Sequence, residues 1–296
     1  MTPHQIAPHV FQIALGFVNA YAITTPDGEW VLVDCGLKQT VSQLQTLSPF
    51  FGKSPRAIVL THGHLDHAGG ARELAKTWNC RVYVGALERP FLSGKAVYPP
   101  KDPTVGGALA FLSRFSPWPM FNLTGLLENV PQNGEIPELP DWKILATPGH
   151  TPGHLALWNE RERVLLAGDA LCTLDADSWL GILTQKPVFA RPGTPFTTDW
   201  NAARQSVQTL AALEPQIVAA GHGQPISGGE TAQKLRDFAA NFPIPPRGRY
   251  ANQSAIFDEN GPQKLPPEPP DDFKRNLQIA AALATIVALF LRLRRR

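Results

Sequence analysis

Cysteine is scarce. Cys35, Cys80 and Cys172 are the only three in 296 residues, and no pair has a CxxC spacing. An odd, scattered set argues against a fully paired disulfide framework and points to buried free thiols in a reducing compartment. Long hydrophobic runs are missing too. The apolar stretch 279–291 has 13 residues, short of the ~20 that a membrane-spanning helix needs. Residues 1–13 carry no basic segment leading into an apolar one, so no secretory signal is expected. Neither charge sign dominates. The formal net charge is +2, and apart from Arg292, Arg294, Arg295 and Arg296 the chain has 23 basic against 25 acidic residues. No basic field remains to recruit nucleic acid, and none is expected as a partner. The apolar share, 43%, is ordinary for a globular protein and excludes wholesale disorder. Proline is in excess, with 29 residues, about twice the usual share.

What the chain does have is a concentration of histidine. Ala57-Ile58-Val59-Leu60 reads as a buried strand. Thr61-His62-Gly63-His64-Leu65-Asp66-His67-Ala68-Gly69-Gly70 reads as a tight loop at its end. Three of the 8 histidines and one aspartate fall within six residues. Imidazole with carboxylate is a borderline-soft ligand set that suits zinc first, and iron or manganese less exclusively.

Residues 10–13, 20–24 and 30–33 read as strands, the last two joined by a Pro26-Asp27-Gly28 turn. Further strands are expected at 81–84, 143–147, 155–158, 164–167 and 216–220. Residues 41–47, 68–78, 198–213 and 231–242 read as helices, the second on Ala71, Leu74, Ala75 and Trp78 at three-to-four spacing. Strands alternating with helices after an antiparallel start imply sheets covered by helices. Residues 85–135 are rich in proline and aromatics, with one helix candidate at 106–115. A connection of this kind is expected to be a lid or substrate-pocket insertion.

Each remaining ligand candidate follows an apolar strand: His150 after 143–147, Asp169 after 164–167 and His222 after 216–220. Strand ends that converge on one rim are what a preformed site needs. The candidates are His62, His64, Asp66, His67, His150, Asp169 and His222, enough for a two-metal site. His62 and His64, two apart in an extended segment, can project to one metal. His67 can face a second, with Asp169 bridging the ~3.5–4 Å typical of such pairs. Asp34, at the end of strand 30–33, either caps its strand or supports the neighbouring loop without ligating.

The runs Thr61-His62-Gly63-His64-Leu65-Asp66-His67, Gly149-His150-Thr151-Pro152-Gly153-His154, Gly168-Asp169 and Gly221-His222 together resemble the metallo-β-lactamase superfamily, over about residues 10–240. The resemblance implies an α+β fold, the αββα four-layer sandwich of two mixed sheets with helices outside. It implies a first metal on His62, His64 and His150, a second on Asp66, His67 and His222, and Asp169 bridging both. Asp34 matches the family's strand-end aspartate that supports the metal loop. His154 lies outside the seven ligands, as a residue behind them or a purely structural one. Lactam-hydrolysing members often carry cysteine or serine where this chain has Asp169. The aspartate, with His67, resembles the glyoxalase II-like thioesterase, lactonase and phosphodiesterase branches.

The implied cofactor is a pair of divalent ions, zinc by default, with iron or manganese suiting the same ligands. A hydroxide bridging two cations attacks an ester, thioester or lactone carbonyl, and the cations take up the oxyanion charge. Asp66 is the catalytic candidate, ligating and shuttling a proton to the leaving group. Phosphodiester or β-lactam hydrolysis is the alternative. A non-enzymatic metal-binding or scaffold module has no need of a complete ligand set. Arg236, Arg247 and Arg249 are the cations available to anchor an acidic acyl carrier such as glutathione.

The expected organisation is a catalytic domain at 1–242, a proline-rich arm at 243–275 and an apolar helix with an arginine-rich end at 276–296. That helix lies on a membrane surface, docks on its own body or a twin subunit, or spans the bilayer by letting its arginines snorkel. The side on which arginines prefer to stay counts against the span. The expectation is a cytoplasmic protein acting on a small acyl or lactone substrate, peripheral to the membrane if the helix binds lipid.

Overall fold

A computed structural model describes residues 2–117, 120–273, 275, 277, 278 and 283. The chain divides into two compact units, Met1–Pro266 and Pro267–Arg296.

In the first unit, seven strands form one sheet in chain order: β1 (His4–Ala7), β2 (Val10–Ala14), β3 (Asn19–Thr24), β4 (Trp30–Val33), β5 (Ala57–Val59), β6 (Arg81–Val84) and β7 (Leu127–Asn129). β1 to β4 pair antiparallel, and β4 to β7 run parallel. The second sheet holds β8 (Lys143–Ala146), β9 (Leu155–Asn159), β10 (Val164–Gly168), β11 (Ile217–Ala220) and β12 (Ile226–Ser227), in the order β12-β11-β10-β9-β8. Only β10 and β11 pair parallel in it. A hairpin of β13 (Ile256–Asp258) and β14 (Gly261–Lys264) stands apart. The helices in chain order are α1 (Val41–Gln45), α2 (Leu47–Phe51), α3 (Leu65–Ala68), α4 (Ala71–Trp78), α5 (Arg89–Leu92), α6 (Ala108–Ser113), α7 (Trp179–Thr184), α8 (Trp200–Ala212) and α9 (Thr231–Ala240).

The strands are apolar on both faces because both faces are covered. Along β4, Val31 and Val33 point one way, Trp30 and Leu32 the other. Val31, Val33 and Val59 meet Leu157, Val164 and Leu166 of the second sheet in the central layer. Trp30, Leu32 and Ile58 meet Leu44, Leu74 and Trp78 of the helices outside the first sheet. Trp158, Leu165 and Val218 meet Trp200, Val207 and Leu235 outside the second. Helices, sheet, sheet and helices make the four-layer αββα sandwich.

Three boundaries differ from the sequence reading. The helix expected at 68–78 starts at Ala71 as α4; Ala68 closes the short α3, and Gly69-Gly70 separate the two. A Cβ on Gly69 would sit 2.5 Å from the Leu65 carbonyl oxygen, and one on Gly70 would sit 2.6 Å from that of Cys35, so the chain packs too closely there for a continued side-chain-bearing turn. Residues 85–135 are not wholly an insertion, since β7 completes the first sheet beside β6. The body also continues past 242 to Pro266. Tyr250 is buried in the outer layer of the second sheet and donates its hydroxyl to Pro100 O at 2.7 Å, which anchors part of the expected arm.

The three cysteines are free and buried. Most of 276–296 lies outside the described residues, and with it the expected helix. Among the described residues no helix is long and apolar enough to cross a membrane.

Candidate metal centre

The two sheets are tied together at one end. Leu155 N donates to Thr61 O at 2.8 Å, and the Tyr21 hydroxyl donates to Ala220 O at 2.7 Å. These bonds bring the ends of β5, β8, β10 and β11 to one rim. From β5 come His62 and His64, and α3, the first turn after them, adds Asp66 and His67. The loop after β8 brings His150, the end of β10 brings Asp169 and the end of β11 brings His222. All seven expected ligand residues arrive at the same place.

They form two groups around one carboxylate. His64 Nδ1 is 3.0 Å from His62 Nε2 and 3.0 Å from His150 Nε2. On the other side, His67 Nε2 and His222 Nε2 are 3.4 Å apart, and Asp66 Oδ2 is 3.3 Å from His222 and 3.8 Å from His67. Asp169 faces both groups, with Oδ1 3.6 Å from His67 Nε2, and Oδ2 3.2 Å from His222 Nε2 and 3.6 Å from His150 Nε2.

Groups behind the histidines set which nitrogen points inward. The Thr61 hydroxyl donates to Asp34 Oδ2 at 2.8 Å and so accepts from His62 Nδ1 at 3.0 Å. The Thr197 hydroxyl donates to Gly193 O and accepts from His150 Nδ1, each at 3.0 Å. His67 Nδ1 donates to Asp34 Oδ2, and His222 Nδ1 to Phe17 O, each at 2.8 Å. Four rings thereby turn Nε2 toward the centre. His154 does not join them. The Thr147 hydroxyl is 2.7 Å from its Nδ1, and its Nε2 accepts the backbone N–H of Asp169 at 2.9 Å. Burial lowers the His154 pKa to about 3, so the ring is neutral, as an accepting Nε2 requires. Asp34 and His154 thus both act from behind the cluster.

The electrostatics ask for cations. Burial pushes His62 and His150 well below the ordinary histidine value and His64 to about 4. In the His64 tautomer that leaves Nδ1 unprotonated, the three inward nitrogens present lone pairs to one point, as a shared cation requires. Burial lowers His67 too, but the carboxylates of Asp169, Asp34 and Asp66 outweigh it and raise His67 to about 10. The carboxylates around His222 likewise overcome its burial and raise it. Without metal, these two protons balance Asp66 and Asp169; a cation would replace them. Asp169 Oδ1 is buried with no hydrogen-bond partner. His62, His64 and His150 converge closely enough to hold one ion, as do Asp66, His67 and His222, and also His62, His67 and Asp169. An orphaned buried oxygen among converging imidazoles fits divalent ions that take nitrogen and oxygen ligands.

One residue behind the site has no signal in the sequence. Glu88 is fully buried and joins the two histidine loops. Its Oε2 accepts from Gly63 N at 3.0 Å and from the Tyr98 hydroxyl, and its Oε1 accepts from Gly153 N at 2.9 Å. Gly221 is a second. A Cβ there would fall 2.2 Å from Asp169 Oδ1 and 2.5 Å from the His67 ring.

The family model described as "Metallo-beta-lactamase superfamily" matches residues 13–222. The probable metallo-hydrolase YflN of Bacillus subtilis is 35% identical over 241 residues, covering 79% of this chain and 91% of that protein. A hydroxyacylglutathione hydrolase, GloC of Haemophilus influenzae, is 32% identical over 118 residues, covering 39% of this chain and 50% of that protein. Among solved structures, the B3 metallo-beta-lactamase BLEG-1 superposes with a TM-score of 0.57 at 25% identity, over 77% of this chain and 96% of its own. TTHA1623 in a di-iron-bound form does so at 0.51 and 25%, over 79% and 98%. The chain belongs to the metallo-beta-lactamase superfamily.

Proposed function

We propose that this protein is a metal-dependent hydrolase that holds two divalent cations and opens an ester, thioester or lactone carbonyl. The observation that carries the reading is Asp169, one buried carboxylate facing both ligand groups. His62, His64 and His150 would hold one ion, Asp66, His67 and His222 the other, with Asp169 between them. Such a pair supplies a nucleophile from water at neutral pH and an electrostatic sink for an oxyanion. Zinc suits the ligand set first; the di-iron form of TTHA1623 supports iron as the competitor.

The chain's own residues do the rest. Asp66 is the more open carboxylate, its side chain 22% exposed against 5% for Asp169, which puts it within reach of a leaving group that needs a proton. Burial raises its pKa, but His67 and His222 hold it well below the usual carboxylate range, so it is ionised at neutral pH. Phe17, an exposed residue, stacks on the His222 ring, and the Phe196 ring centroid lies 5.7 Å from that of His64. Apolar side chains beside the cluster favour an acyl group or lactone ring over a polyanion. Of the cations expected to anchor an acidic carrier, Arg236 pairs with Glu214 at 2.6 Å and Arg249 donates to Pro266 O at 2.8 Å, which leaves Arg247. The hydroxyacylglutathione hydrolases among the relatives support a thioester; the aromatic surroundings support a lactone equally well.

Metal analysis of purified wild type and D169A, with a panel of thioesters, lactones, β-lactams and bis(p-nitrophenyl) phosphate, tests the reading. About two metal ions per chain and turnover of a carbonyl substrate are expected, and D169A should lose both. Unchanged metal content and kcat in D169A would sink the bridging assignment, and phosphodiester turnover alone would move the substrate class.

A further inference from the structure

Helices α6 and α7 build one apolar face beside the histidine cluster. Ala108 N donates to Asp177 O at 2.8 Å and Leu109 N to Ala176 O at 3.2 Å, tying the start of α6 to the residues ahead of α7. The Phe111 and Trp179 rings meet edge-on at 6.0 Å, and those of Phe111 and Phe115 at 5.8 Å. On the inner side, a Cβ built on Gly193 would lie 3.5 Å from both Leu109 and the His150 ring. On the outer side, Phe115, Trp179, Leu180 and Leu183 are 70, 54, 68 and 80% exposed. Apolar side chains grouped this way and left in water mark an interaction surface.

Charge selects the partner. Residues 103–117 and 178–190 contain no Asp or Glu, and their cations are Arg114 and Lys186. The flanking acids are occupied within the fold: Asp177 Oδ2 accepts from Arg191 Nε at 2.9 Å and from the Thr194 hydroxyl, and Asp175 Oδ1 from Asp177 N at 3.1 Å. Exposed Trp, Phe and Leu, with Lys186 and the half-buried Arg114 as cations and no acid within the two segments, match helices that lie in the headgroup layer of an anionic bilayer. The sequence also carries an apolar run at 279–291 followed by Arg292, Arg294, Arg295 and Arg296. Stable surface attachment takes two such weak anchors. We propose that the α6–α7 face docks on an anionic lipid surface.

Vesicle binding is read without turnover, so the test is independent of the reaction proposed above. Full-length protein is sedimented with vesicles of phosphatidylcholine alone and of phosphatidylcholine with phosphatidylglycerol. Wild type should pellet with the anionic vesicles and less at high salt. L180S/L183S should bind about tenfold or more weakly, while its thermal unfolding stays that of wild type because both side chains are exposed. R292Q/R294Q/R295Q/R296Q should keep residual binding that L180S/L183S removes. The proposal is overturned if wild type ignores anionic vesicles, or if L180S/L183S binds as wild type does. A wild-type dimer that L180S/L183S turns into a monomer, with no vesicle binding by either, would assign the face to a second copy instead.

Discussion

Asp34 Oδ2 lies 2.8 Å from His67 Nδ1, and the same carboxylate accepts from the amide and hydroxyl of Thr61 at 2.8 Å each. One buried side chain therefore orients His67 directly and His62 through Thr61. Asp34 has φ 62°, a left-handed backbone that asparagine also tolerates. D34N thus alters hydrogen bonding at little backbone cost, leaving one accepting oxygen where there were two. Metal affinity should fall about 10–100-fold, with far-UV circular dichroism unchanged. Calorimetric titration of zinc into chelator-treated protein checks this; wild-type affinity in D34N would reject the supporting role.

Glu88 is the equivalent device between the two loops. With its carboxylate bound to Gly63 N and Gly153 N, the His62–His64 turn cannot move independently of the His150 turn. Burial raises its pKa, the cost of placing a carboxylate there. In E88Q only one end of the side chain can accept, so one buried amide meets an N–H instead of an oxygen. A loss of about 1–3 kcal/mol is expected in urea unfolding, together with weaker metal binding. If E88Q unfolds at the wild-type midpoint and binds zinc equally well, the clamp is not structural.

The contrast between Asp34 and Glu88 shows what the sequence could carry. Asp34 was legible because it ends an apolar strand, as Asp169 does, and strand ends gather at one rim. The histidines were legible because imidazoles seldom cluster without a ligand. Glu88 stands alone in a short turn between β6 and α5, with no other ligand-type residue beside it; only the packing of Gly153 against it reveals its part. The body's extension to Pro266 was hidden for a similar reason. Proline-rich sequence reads as a loose arm, yet Tyr250 needed only Pro100 and the outer layer of the second sheet to bury it. Long-range partners of single residues leave no periodicity to read.

Gly221 offers a substitution that reaches the site without replacing a ligand. The Cβ of G221A would press on Asp169 Oδ1 and the His67 ring; His154 binds the backbone N–H of Asp169, and Asp34 holds the His67 ring from behind. Neither can retreat freely, so crowding should cost about 1–3 kcal/mol and reduce metal content. Gly229 has nothing within 4 Å of an added Cβ and serves as the control. G229A should match wild type in melting and metal analysis; G221A matching it too would show that Asp169 has room to shift.

His154 gives the centre a pH dependence whose sign can be worked out. Burial lowers the pKa of His62, His150, His64 (to about 4) and His154 (to about 3) in the folded protein. Unfolded, each takes a proton near 6.5. As pH falls below that value the unfolded chain binds more protons, so stability present above pH 6.5 is lost on the way down. His67 and His222, both raised, are protonated in either state below 6.5 and add no slope there; their contribution is lost instead as pH rises, toward about 10 for His67. Chelator-treated protein should therefore show a urea midpoint that declines from pH 6.5 to 5, before most carboxylates titrate. H154Q keeps an oxygen for Asp169 N and an amide for Thr147 but cannot take up a proton. Its slope should be shallower by up to ~1.4 kcal/mol per pH unit. Parallel slopes for the two proteins would mean that His154 is not held neutral by the fold.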